Sequence, residues 1–110
     1  MPRVPQKSYL RAHRLKAGLS LLELAGLLGV TPKTLWNYEA GVRQPPARLI
    51  IAAEAIFGVS AYRIFPALYN GIEEDLAIRA LAFYDKLAGR EDPASRKKLA
   101  LVGGIPGRLH

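Results

Sequence analysis

The chain has 110 residues, which suits one modest domain. Half of them are hydrophobic, which excludes a disordered chain, and the lack of cysteine excludes disulfides and thiolate zinc sites. The formal charge of +7 is uneven: residues 1–65 hold nine Lys or Arg against three Glu, whereas residues 66–110 hold seven bases against six acids. A basic N-terminal part suits a polyanion partner, because neutralised phosphates release counterions, or else it is a surface kept for solubility. Leu and Ala are frequent, and the alternating β-branched pattern of strands is absent, so the expected fold is all-α.

Residues 1–5, with two prolines and Arg3, read as a loose arm. A first helix is expected over 6–17, with Leu10, Leu15 and Ala17 among Arg11, Arg14 and Lys16, stopping at Gly18. Ser20 and Glu23 have capping-box spacing, and Leu21, Leu24, Ala25 and Leu28 follow at helical intervals up to Gly29. Thr31 is a good N-cap and Pro32 suits the first position of a third helix, expected to run to about Ala40 with Leu35 and Tyr38 inward. A proline-bearing loop over 42–46 precedes an apolar fourth helix, about Ala47 to Phe57, ended by Gly58. Ser60 is expected to cap a short fifth helix ending before Pro66.

Beyond this, Asn70 and Glu73 repeat the capping-box spacing, so a further helix is expected to begin there. Its apolar stripe is Ile72, Leu76, Ala80, Phe83 and Leu87. Glu73, Glu74 and Asp75 read as favourable charge in its first turn, with Asp75 four residues before Arg79, rather than as a metal or catalytic cluster. Asp92-Pro93 starts a last helix to about Leu101, and 102–110, with three glycines and a proline, reads as a flexible tail. The expected organisation is a first domain over 1–66, a helical extension over 67–101 whose stripe either packs on the fourth and fifth helices or pairs with its copy in a second chain, and the tail.

A helix, a tight glycine turn and a second capped helix form the unit that places one helix in the DNA major groove. Ala25 must be small where the next helix crosses it, Gly29 makes the turn, Val30 plugs it into the core, and Leu35 and Tyr38 anchor the second helix. The stretch LKAGLSLLELAGLLGVTPKTLWNYEAGVRQPP, continued by LIIAAEAIFGVSAYRIF, resembles the Cro- and phage-repressor-like helix-turn-helix family, also called the xenobiotic-response-element family. The resemblance implies a five-helix lambda-repressor-like domain carrying the helix-turn-helix, plus one or two C-terminal helices. It also implies a sequence-specific regulator of transcription, a repressor, bound to two-fold double-stranded DNA sites as a homodimer.

The same resemblance assigns roles to positions. Thr31, Pro32, Lys33, Thr34 and Asn37 match the outward positions of the recognition helix. Helical spacing agrees, since 33, 34 and 37 share a face opposite Leu35 and Tyr38. Lys33 can donate to guanine O6 or N7 or reach only phosphate. Asn37 can pair with adenine or be merely solvated, and Thr34 can meet a thymine methyl or a phosphate. Arg43 and Gln44 match backbone-contacting loop positions, and Arg11 and Lys7 are weaker phosphate candidates. Arg14 and Glu39 match a pair that ties the first helix to the end of the recognition helix.

One departure stands out. Leu21 lies where many members carry a DNA-contacting glutamine, and a leucine cannot make that hydrogen bond. Leu21, Leu22 and Trp36 either form an exposed patch that marks a protein contact, or Trp36 covers Leu22 across the two helices. A protein-interaction module and the DNA-binding antitoxin of a toxin–antitoxin pair are therefore the competing readings, the latter using residues 66–110 to grip the toxin.

Neither His13 nor His110 has a partner suited to catalysis, and no glycine-rich phosphate loop follows a strand, so no enzyme, cofactor or metal is expected. The longest apolar run, Leu49 to Val59, is broken by Glu54 and is too short to span a bilayer. MPRVPQKSYLRAHR lacks the apolar segment of a signal peptide. A cytoplasmic protein is the expectation.

Overall fold

In the computed structural model, which describes residues 8–110, the described residues form seven α-helices and a final 3-10 turn, without strands. They are α1 (Leu10–Lys16), α2 (Leu21–Leu28), α3 (Pro32–Glu39), α4 (Ala47–Phe57), α5 (Ala61–Ile64), α6 (Pro66–Leu87) and α7 (Pro93–Gly103). The chain divides into two compact units, the first ending at Leu68 within the opening turn of α6 and the second running from Tyr69. The start of the first helix expected over 6–17, and with it Lys7, lies outside the described residues.

The first unit closes around Leu10, Leu24, Ala25, Leu35, Tyr38, Leu49, Ala53, Ile64 and Phe65, all buried. Val30 from the α2–α3 turn and Leu68 from the start of α6 pack against this cluster. The amide of Tyr9 donates to the carbonyl of Ile64 at 2.8 Å, tying the front of α1 to the end of α5.

The helix ends follow from the residues that stand there. Ser20 Oγ accepts from the Glu23 amide at 3.0 Å while Glu23 Oε1 accepts from the Ser20 amide at 2.9 Å, a complete capping box. The Ser20 amide, and after it the Ser20 hydroxyl, favour the charged carboxylate and hold the Glu23 pKa below the usual carboxylate value. At the other end of α2, Gly29 takes φ +71°, and the Val30 amide returns to the Ala25 carbonyl at 3.0 Å. This left-handed cap ends α2 three residues before α3 begins, and a side chain there would be strained. Thr31 caps α3 through its hydroxyl, with Pro32 in the first turn.

Three sequence expectations need correction. Ser60 precedes α5 without a side-chain cap; the Ala61 amide donates instead to Glu54 Oε2 at 3.2 Å. Asn70 does not start a helix: α6 already begins at Pro66, so Asn70 lies inside it and Glu73–Asp75 fall beyond its first turn. Burial is the reason, because Phe65 and Leu68 dock into the first core while Pro66, whose missing N–H costs nothing there, opens the helix between them. Glu73 accepts instead from the His110 amide at 2.9 Å and contacts its ring, and these contacts lower its pKa. The third correction concerns the stripe on α6, of which only Ala80 and Leu87 are buried.

In the second unit Asp92 caps α7, its Oδ2 accepting from the Ser95 amide at 3.0 Å; the Ser95 hydroxyl, and after it this amide, lower the Asp92 pKa. Gly103 of α7 lies under the ring of Tyr84 from α6. Within 102–110, expected as a tail, a 3-10 turn spans Pro106–Arg108, and Arg108 Nη2 donates to the Leu101 carbonyl at 2.9 Å.

Candidate nucleic-acid interface

α3 carries the candidate site, and two anchors fix how it is presented. The first is apolar: Leu35 and Tyr38 are buried against α1 and α2. The second is ionic. Arg14 on α1 donates from Nε to Glu39 Oε2 at 2.7 Å and from Nη2 to Oε1 at 3.1 Å, while Nη1 donates to the Leu19 carbonyl at 3.1 Å. The two side chains are 10 % and 3 % exposed. The guanidinium thus joins α1, the α1–α2 turn and the last turn of α3 in one forked contact. Hydrogen bonding to Glu39 raises the Arg14 pKa further, against the opposing effect of burial. A buried pair of this kind specifies orientation more than it adds stability.

The opposite side of α3 faces outward. Lys33 and Thr31 are exposed, and Pro32, Thr34 and Asn37 are half-buried. At about 100° per residue, 33, 37 and 34 occupy one arc of about 100°, centred away from Leu35. The Thr31 hydroxyl accepts from the Thr34 amide at 3.2 Å and donates to the Thr34 hydroxyl at 2.8 Å. That leaves the Thr34 hydroxyl proton free to donate outward. The Asn37 carbonyl accepts from the amides of Val42 at 2.9 Å and Arg43 at 3.3 Å. The loop bearing the exposed Arg43 and Gln44 is thereby folded back against the end of α3.

Arg11 and Leu21 join the same side. With Arg14, Trp36, Glu39 and Ala40 they line one surface cleft. Leu21 is half-buried and packs against the core, so it is an apolar wall rather than an exposed contact. Leu22 and Trp36 are 70 % and 55 % exposed, so neither covers the other. Trp36 is the residue that sequence reasoning placed least well. The same 100° rule sets it about 60° from Lys33, on the edge of the outward arc. Its apolar character directs attention to packing instead.

Among the described residues no group of His, Asp or Glu is arranged to hold a metal ion, and no helix is long and apolar enough to cross a membrane. A family model described as Helix-turn-helix, of the Cro/C1 type, matches residues 10–64, which are α1 to α5. The chain belongs to the Cro/C1-type helix-turn-helix family. No match was found among curated proteins or solved structures. Members of this family are regulators that bind double-stranded DNA, not enzymes, and the helix-turn-helix here is such a DNA-binding domain.

Proposed function

We propose that this helix-turn-helix protein is a transcriptional repressor that binds a two-fold operator as a homodimer in the cytoplasm, where the DNA is. The observation that carries the reading is the presentation of α3: Lys33, Thr34 and Asn37 point outward while Leu35, Tyr38 and the Arg14–Glu39 pair hold the helix from behind. In this reading Lys33 donates to guanine O6 or N7, Asn37 pairs with adenine N6 and N7, and Thr34 donates to a neighbouring acceptor. Thr31 and Pro32 shape the helix N-terminus near a phosphate, and Arg11, Arg43 and Gln44 contact the backbone.

Selection of bound sequences from a random DNA pool, followed by titration across a salt series, tests the proposal. A defined half-site repeated with two-fold symmetry is expected, with affinity falling steeply as salt rises. Lys33→Ala and Asn37→Ala each cost about 1–3 kcal/mol and relax preference at one base position. No preferred sequence together with a flat salt response defeats the proposal.

The exposure of Leu22 and Trp36 favours a second reading, a protein contact at the front of α2 and α3. Leu22→Ala separates the two: it leaves DNA affinity unchanged and reduces capture of a protein partner if that contact exists.

A further inference from the structure

The second unit covers only one side of α6. Ala80 and Leu87 are buried, and Glu73 and Ala77 are half-buried. On the adjoining arc Ile72, Leu76 and Phe83 stay 39–59 % exposed. At about 100° per residue these three fall within about 40° of one another, a single stripe along three turns. A stripe of this length on a helix surface is an interaction surface in want of a partner.

The charges beside the stripe identify that partner. Asp75, Arg79 and Lys86 lie along its open edge, within about 40° of one another. Asp75 and Lys86 are 11 residues apart, about 16 Å along the axis. Neither carboxylate nor ammonium has an ion-pair partner among the described residues, and Asp75 does not pair with Arg79 one turn away. In an antiparallel two-fold pair of α6 helices, each residue faces the one equally far beyond the centre. Centred between Arg79 and Ala80, that register sets Leu76 against the partner's Phe83, and Phe83 against the partner's Leu76. It also brings Asp75 beside the partner's Lys86 at both ends, because a two-fold axis keeps both copies of this edge on one side. The two Arg79 side chains near the axis are bracketed by the two Asp75 carboxylates.

The other exposed apolar side of α6, Ile78 and Leu81, does not have this property. Its neighbours are Glu74 and Asp85, and the same antiparallel pairing sets Glu74 against the partner's Asp85, like charge against like. We infer that the Ile72–Leu76–Phe83 face of α6 is the homodimer interface, formed with a second copy of this chain in antiparallel two-fold register. The inference rests on the dimeric reading above and names its surface.

Sedimentation of the full chain without DNA, over a concentration series, tests it. The unaltered chain is expected to be a dimer. Asp75→Lys alone, and Lys86→Asp alone, each raise the dimer dissociation constant about tenfold, since each sets like charges together twice per dimer. The double reversal Asp75→Lys with Lys86→Asp returns it to within about threefold of the original, as pairwise coupling requires. Phe83→Glu gives a monomer, and Ile78→Glu leaves the dimer intact, with helicity by circular dichroism checking that each variant is folded. A monomeric unaltered chain overturns the inference, as does a dimer lost on Ile78→Glu but kept on Phe83→Glu. So does a double reversal no tighter than the singles, which removes the proposed register. Titration of the same samples with selected DNA keeps the two readings apart: a dimer that binds no DNA sequence defeats the repressor reading alone, and specific binding of two copies to a two-fold site by a chain that is monomeric without DNA defeats the interface alone.

Discussion

Arg14 and Glu39 show how one pair of side chains sets the pose of a whole recognition helix. Their three hydrogen bonds satisfy a guanidinium that is otherwise out of water, so removing either partner leaves the other uncompensated. Glu39→Ala is expected to destabilise the domain by about 3–5 kcal/mol, read by urea denaturation. Replacing both by apolar residues is expected to cost much less, because no charge is then stranded, yet to weaken DNA binding by loosening α3. The capping carboxylates act more locally. Glu23 and Asp92 both have pKa values held below the usual range by their hydrogen bonds to Ser20 and Ser95. A group whose folded pKa is depressed contributes stability that is fully present above its unfolded pKa, about 4, and lost as pH falls through the lower folded value. Denaturant midpoints are therefore expected to drop between neutral pH and acid. Glu23→Gln and Asp92→Asn, which remove the titrating groups, flatten that drop; an unchanged profile would show that other carboxylates govern it.

Within the elements, Gly26 of α2 and Gly29 at its C-terminal cap make opposite demands. Gly29 sits at φ +71° with open space where a Cβ would stand, so the cost of a side chain there is conformational and not steric. Gly29→Ala is expected to cost about 1–2 kcal/mol and Gly29→Asn less, since asparagine tolerates the left-handed region. Gly26, in mid-helix with equal space around it, has no such need. Gly26→Ala is expected to stabilise by about 0.5–1 kcal/mol, visible as a higher melting temperature. The ends of α2, α3, α4 and α7 are legible in the residues because each is marked by short-range chemistry: Ser20 with Glu23, Gly29, Thr31-Pro32, Gly58, Asp92-Pro93. The start of α6 is not legible. Asn70 and Glu73 copy a capping pattern, while tertiary burial of Phe65 and Leu68 starts the helix a turn earlier. The arc of Lys33, Thr34 and Asn37 follows from periodicity alone. The place of Trp36 beside it, and of Arg11 and Leu21 in one cleft, depends on how α1, α2 and α3 cross.

At the scale of the molecule, the net positive charge is concentrated in the first unit, and the second unit is close to neutral. The part up to residue 65 holds six of the seven net positive charges, and the second unit holds the exposed stripe of α6. Such a charge distribution suits a protein whose first unit meets phosphates and leaves the near-neutral second unit free to meet a copy of itself. The salt dependence of binding makes this quantitative, because each phosphate neutralised contributes about −0.9 to the slope of log affinity against log salt. Arg43→Ala is expected to make the slope shallower by about 0.9 per chain, hence about 1.8 for a two-fold complex, without altering base preference. Phe83→Glu, binding as a monomer to one half-site, is expected to show about half the original slope while preferring the same half-site bases. The pair of measurements is informative because the two substitutions lie in different units. A full slope for Phe83→Glu means that the two copies still engage together, so that DNA or another surface joins them. A reduced affinity for Arg43→Ala at an unchanged slope means that its guanidinium meets a base edge instead of a phosphate.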